Sequence, residues 1–355
     1  MTVRVAAEPS RRRIWHAALP MGLGLALFLG CGQSSTQKAQ PPGHEIAKSR
    51  ATVLAEEILA AAPEDGDLYD KATLARMQSA TDKLVALGEE AAPGLDRLLH
   101  GMLDRPLDRK RAEADSSILF SILGRFTFPH SLWKPASSSR GEFFLKPGTY
   151  GDEAKAVRHP WLRPFILKAL THGFLRPRYE SSVLWSLWYH SASPAADLVA
   201  MSKAAPRPRV RAWSLELLSR VSPLPRAQLA DALVWCMDSD SNCRPLTMAI
   251  ALSIKFNVQS ALRSLVDLAH RTDQVDCLVV QDFVAKRFLG SPPKEPPWGF
   301  EPRIGELAVF AYQEISGEDL GFTNCYDSRA RMPEIIKRLQ TEPKWESGRL
   351  PPHKL

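Results

Sequence analysis

No GxSxG elbow, HExxH helix or glycine-rich phosphate loop occurs after residue 31 of this 355-residue chain. Each of those spacings aims a nucleophile, a metal or a row of backbone N–H groups at one point, and without them the matching hydrolase, metalloprotease and nucleotide chemistries have no anchor. Cysteine is scarce, five residues with no CxxC pair, which argues against a zinc ribbon or a thioredoxin-type site. A membrane-spanning helix needs about 20 apolar residues. The apolar run from Ala17 to Gly30 holds fourteen, with Pro20 and three glycines among them.

What that short run fits is export. Arg11, Arg12 and Arg13 precede it and small Gly30 follows, the basic, apolar and small-residue order of a secretory signal. Phe28-Leu29-Gly30-Cys31 resembles the lipobox of a bacterial lipoprotein. The resemblance implies cleavage before Cys31, a diacylglycerol thioether on that cysteine and an acylated amino terminus, and several acyl chains anchor far more firmly than one. Gly32 stands where an inner-membrane retention signal often places Asp, so the enterobacterial sorting rule favours the outer membrane. Residues 31–48, polar and turn-rich through Pro41-Pro42-Gly43, read as a flexible tether.

Removing residues 1–30 takes away four arginines and one glutamate, so the net charge of +7 becomes +4. On an exported chain such mild basicity is solvated surface and argues against nucleic acid as a partner. Beyond Cys31 lie Cys236, Cys243, Cys277 and Cys325. An even count in an oxidising compartment permits two disulfides. The compartment favours Cys236 with Cys243, across a short turn, and Cys277 with Cys325; the alternative is buried thiols.

Two stretches align without gaps: Arg207-Pro-Arg-Val210-Arg211-Ala-Trp-Ser214 and Asp240-Ser-Asn-Cys243-Arg244-Pro-Leu-Thr247, with Arg211 and Arg244 33 residues apart. Val210, Trp213, Leu217, Leu218 and Val221 recur at helical spacing, as do Leu229, Ala232, Leu233, Cys236 and Met237. Leu246, Ala249, Ile250 and Ile254 continue the pattern, with Pro245 in a first turn where its missing N–H costs nothing. These phrases resemble the loop and first helix of a short bacterial HEAT repeat, Asp-x-Asp-x-x-Val-Arg-x-x-Ala; Cys243 stands in for Val, and Ser214 and Thr247 for Ala. The resemblance implies an all-α fold, an α-solenoid of helical hairpins that each bury an apolar face on their neighbours. It also implies a structural ladder formed by Arg211, Asp240 and Arg244.

Looser units surround this pair. Leu87-Gly88 followed by Ala92-Pro-Gly-Leu95 resembles the middle of another repeat, Ser117 to Phe126 reads as the following helix, and Trp161 to Ala200 and Val279 to Tyr312 each read as a helix pair. The repeat domain therefore covers residues 49–314, with an irregular Pro-, Gly- and Ser-containing insertion over 128–160. Residues 315–355 form a cap and tail: Ile315-Ser-Gly317-Glu-Asp-Leu320-Gly321-Phe322, leading to Trp345, resembles a C-terminal segment of bacterial HEAT-repeat proteins.

The remaining motifs favour architecture over chemistry. Asp238-Ser-Asp240-Ser-Asn242 opens like a calcium loop, but Cys243 and Ala249 occupy the positions that need Gly and Glu, so capping is favoured. Trp185, Trp188 and Tyr189 share a helix face that is either a sugar platform or, as favoured here, a buried seam; Arg207, Arg209 and Arg211 are either an anion site or part of the ladder. Iron-binding enzymes of the superfamily carry paired His-Glu dipeptides, whereas here there is one, His44-Glu45; His130 and His159 bracket the insertion without partner spacing. No metal, cofactor or catalytic residue is expected. The function expected is a protein-binding scaffold anchored in the bacterial envelope, followed by an envelope-glycan or small-ligand module and then an enzyme. Cys31→Ala is expected to abolish palmitate labelling and release the protein from membranes; labelling that persists in the variant refutes the lipidation site.

Overall fold

Helix is the repeating secondary structure of the residues that the computed structural model describes, 49–62, 71–104, 109–127, 157–276, 282–290 and 301–341. An isolated antiparallel bridge joins Gln274 to Arg303. The first half contributes α1 (Arg50–Ala61), α2 (Lys71–Ala86), α3 (Ala92–Leu103), α4 (Arg109–Thr127), α5 (Arg163–Thr171), α6 (Pro177–His190) and α7 (Pro194–Ala204). The second adds α8 (Pro208–Leu218), α9 (Arg226–Ser239), α10 (Cys243–Phe256), α11 (Leu262–Leu268), α12 (Asp282–Leu289), α13 (Ile304–Ser316), α14 (Cys325–Ser328) and α15 (Met332–Thr341).

Local chemistry sets the ends. Proline occupies the first turn of α3, α5, α6, α7 and α8, where no intrahelical donor is lost. Ser49 Oγ accepts the Thr52 N–H at the start of α1, and Asn242 Oδ1 accepts the Arg244 N–H at the start of α10. Between α2 and α3, Gly88 turns the chain with φ of 59° before one 3-10 turn, Gly88–Ala91.

Helices pack on their neighbours and on the next but one. Helix α1 lies on α2 and α3, α2 on α4, α3 on α5, and α4 on α6. The pattern continues as α6 on α8, α7 on α8 and α9, α8 on α10, and α9 on α10 and α11. Helix α13 closes over α10 and α11, and α15 packs on both α11 and α13. One apolar core follows this order from Ala51 to Leu339. Burial of that surface is the main stabilising contribution, about 25 cal/mol per Å² of apolar area.

The buried faces match the sequence pattern unevenly. In α9 the buried residues are Leu229, Ala232, Leu233, Cys236 and Met237, the expected stripe. In α8 they are Val210, Ala212, Ser214, Leu215 and Leu218, while Trp213 and Leu217 are half-buried, because contacts with α6, α7 and α10 turn the small residues inward. Helix α10 is buried continuously from Pro245 to Ser253, since α8, α9 and α13 enclose it. Residues 161–200 form three helices, and α4 begins at Arg109, ahead of the expected Ser117. Residues 279–312 are not a simple pair: α13 seats on α10 and α11, and α12 packs on α14. Phe288, Phe310 and Phe322 then join α12, α13 and the segment after it, with ring centroids 5.8–6.1 Å apart.

Hydroxyls fill the positions where the repeat pattern has Ala. Ser214 and Thr247, both wholly buried, return their protons to the carbonyls four residues back, Val210 O at 2.8 Å and Cys243 O at 2.7 Å. Thr247 Oγ1 also accepts the Asp276 N–H at 3.2 Å. Ser116 of α4 repeats the device, donating to Ala112 O and accepting the Arg176 N–H at 3.0 Å from the loop before α6. A single hydroxyl so satisfies itself within one helix and a backbone donor in the next unit.

At Gly305 the start of α13 lies against the chain just after α11: a Cβ there would lie 2.4 Å from Ala269 O and 2.8 Å from Arg271 O. Both are backbone atoms and cannot swing aside. Gly305→Ala is expected to lower the unfolding free energy by about 1–3 kcal/mol, seen as an earlier denaturation midpoint at unchanged slope.

Candidate binding cleft

Arginines at the helix starts reach into adjoining loops. Arg211, near the start of α8, donates Nε to Asp240 Oδ2 at 2.6 Å, Nη2 to Asp240 Oδ1 at 3.0 Å and Nη1 to Ala205 O at 2.8 Å. The Asp240 side chain is 3% exposed, and its Oδ1 also accepts the Asn242 N–H at 2.9 Å. Its oxygens are therefore committed within the protein. Arg244 repeats the reach from α10 to Asp276. Arg271 reaches backward to Ser241 O at 3.1 Å, and Arg207 backward to Gly173 O through Nε at 3.1 Å and Nη2 at 2.7 Å.

Two further joints follow the same chemistry outside the aligned repeats. Arg163 at the start of α5 grips buried Asp197 in α7 at 2.7 and 2.6 Å, with Ser191 Oγ donating at 2.6 Å. Burial works against the Asp197 carboxylate, but the bonds from Arg163 and Ser191 outweigh it and hold its pKa below the ordinary value. Buried Glu306 accepts from Arg329, 2.9 Å at Nη2, and from the Arg303 N–H at 3.0 Å. No sequence motif marks the Arg163 and Glu306 joints, because their partners stand 34 and 23 residues apart in unlike surroundings.

The starts of α6, α8 and α10 converge on a cleft of about 450 Å³. Glu180, Arg207, Arg209, Asn242, Arg244 and Asp276 are among its walls. The Arg209 guanidinium lies 4.5 Å over the Trp213 ring. Glu180 is 2% exposed, and its Oε1 has no hydrogen-bond partner among the described residues. Arg207 Nε, 3.8 Å away, is too distant to supply one. Burial raises the Glu180 pKa, with Arg207, Arg209 and Arg244 pulling the other way. A sequence signal for this residue exists: Pro177-Arg-Tyr-Glu180 parallels Pro208-Arg-Val-Arg211, 31 residues on, with a carboxylate in place of the bridging arginine.

The Cys236–Cys243 disulfide is absent; both are free thiols. Asp240 organises the turn between them, leaving Cys236 wholly buried in the core and Cys243 half-buried at the cleft wall. Burial, reinforced by Asp240, raises the Cys236 pKa, which suppresses the thiolate that exchange requires. Cys325 is buried at the first position of α14, but Cys277, its expected partner, lies outside the described residues. Cys31 and His130 lie outside them as well.

No family model matches this chain, and no curated protein or solved structure is detectably similar to it. Among the described residues, no group of three or more His, Cys, Asp or Glu side chains is placed to hold a metal ion, and no helix is long and apolar enough to cross a membrane.

A second polar cluster sits where residues 128–156 leave and rejoin the described structure. The Val157 N–H donates to Thr127 O at 2.9 Å, and the His159 N–H donates to His190 Nδ1 at 3.0 Å. A backbone N–H can only donate, so Nδ1 of wholly buried His190 is unprotonated. Its Nε2 therefore carries the proton, donating to Thr127 Oγ1 at 3.0 Å, and Thr127 passes its own to Leu123 O at 2.7 Å. His159 Nε2 contacts Phe126 O at 3.1 Å, so this histidine is tied to the core. Trp185, 7% exposed, stacks on Tyr189 at 5.1 Å within the packed surroundings of α6.

Burial first, then His159 and Arg158, lowers the His190 pKa from 6.5 to about 3. Between those values the unfolded chain binds a proton here that the folded chain does not. Stability should fall as pH drops through 6.5 and continue falling toward 3, by up to about 1.4 kcal/mol per pH unit. His190→Gln, which can keep one donor and one acceptor without the charge, is expected to flatten this part of a plot of melting temperature against pH.

Proposed function

We propose that the chain is a lipid-anchored scaffold of the bacterial envelope, tethered through Cys31 and residues 31–48, whose stacked helical hairpins form an α-solenoid that binds another protein. The observation that carries this reading is the recurrence of one joint whose arginines and hydroxyls stand 33 residues apart: Arg211 with Asp240 beside Ser214, then Arg244 with Asp276 beside Thr247. Packing of helices on the next but one supports stacked hairpins, since each unit finds cover only on its neighbours. Among the described residues the exposed large hydrophobics are Val53 and Val157, so recognition rests on polar and charged side chains. The packing of Trp185 against Tyr189 favours a seam over a sugar platform.

Full-length protein, cross-linked in native membranes and purified, is expected to retain a specific envelope protein. Charge-led binding should weaken as salt rises from about 0.05 to 0.5 M. Retention of glycan fragments alone, with quenched tryptophan emission, would replace this reading with a glycan-binding one.

A further inference from the structure

The cleft at the starts of α6, α8 and α10 has an unusual balance of hydrogen-bonding groups. Its walls are rich in donors: each guanidinium carries five N–H groups. Arg207 uses Nε and Nη2 on Gly173 O, and Arg244 directs Nε to Asp276. Three helix starts add positive potential in the same place. Against these stands one acceptor without a donor, Glu180 Oε1, on a side chain only 2% exposed. Asp276, the other carboxylate of the wall, is held by Arg244 and does not answer it.

A plain anion such as sulfate satisfies the donors but places an oxygen lone pair against Glu180. An ammonium satisfies Glu180 but meets three guanidiniums. A tetrahedral oxyanion that retains one proton does both, with one O–H to give and further oxygens to receive. We propose that this cleft is a binding site for a protonated phosphoryl group, whose P–OH donates to Glu180 Oε1 while its other oxygens accept from Arg207, Arg209 and Arg244. Arg207, with a side chain 48% exposed and its Nε 3.8 Å from Glu180 Oε1, is the exposed neighbour of that carboxylate. The cleft, at about 450 Å³, holds inorganic phosphate or a small phosphate ester.

The decisive property is selectivity. Calorimetric titration of full-length protein with inorganic phosphate and with sulfate at equal ionic strength is expected to show saturable phosphate binding, at least about tenfold tighter than sulfate, the worth of one hydrogen bond to a charged group. Glu180→Gln gives the site an N–H donor that suits sulfate, so the preference should fall toward one. Arg209→Gln should weaken both anions together. A glycerol 3-phosphate arm separates the sources: tighter binding than phosphate identifies an ester as the ligand, and weaker binding identifies the free ion. Equal affinity of the unaltered protein for phosphate and sulfate overturns the proposal, as does the absence of saturable binding. The comparison on the unaltered chain needs no variant to fold; a preference that survives in a folded Glu180→Gln protein also overturns it.

Discussion

The fold depends on carboxylates buried where one helical unit meets the next, each held by an arginine from a neighbouring unit. Asp240 shows what this demands. Removed from water, it must find donors, and it has them in two nitrogens of Arg211 and the N–H of Asn242. Breaking one partner of such a pair costs about 3–5 kcal/mol, while the intact pair contributes far less, because desolvation offsets most of the Coulomb attraction. Its value lies in register. A slip of one helix past another would strand the charge, and apolar packing alone has no comparable penalty. The repeated Arg244–Asp276 joint and the Arg163–Asp197 and Arg329–Glu306 joints extend that constraint through the described structure.

The hydroxyl positions complement it. A buried serine or threonine with one satisfied bond inside its helix presents a lone pair at a fixed height, and Ser116 and Thr247 use it to catch the backbone N–H of an incoming loop. Alanine would pack equally well at either position and would leave that N–H unpaired. At Thr247 the departure from the repeat pattern is thus where adjacent units are fastened.

Much of this was legible in the residues. The 33-residue interval between Arg211 and Arg244, the stripe of α9 and the Leu87-Gly88 turn all depend on local periodicity, which sequence displays directly. What was hidden depends on neighbours distant in the chain. The inward face of α8 is chosen by α6, α7 and α10, so Ala212 and Ser214 displace Trp213. The cysteines near Asp240 stand unpaired on either side of a turn that the buried carboxylate organises, one in the core and one half-buried. At the cleft, the arginines announced themselves as a cluster, but Glu180 showed only in its parallel with Arg211, since a glutamate in a first helical turn is ordinary until its burial is known.

The neck at Thr127 and Val157 has a consequence for how this chain tolerates change. A backbone hydrogen bond joins Val157 to Thr127, and the His190 imidazole backs it, donating to Thr127 Oγ1 and accepting from the His159 N–H. That couples two stretches of chain to one imidazole: a change at His190 or Thr127 loosens the end of α4 and the approach to α5 together.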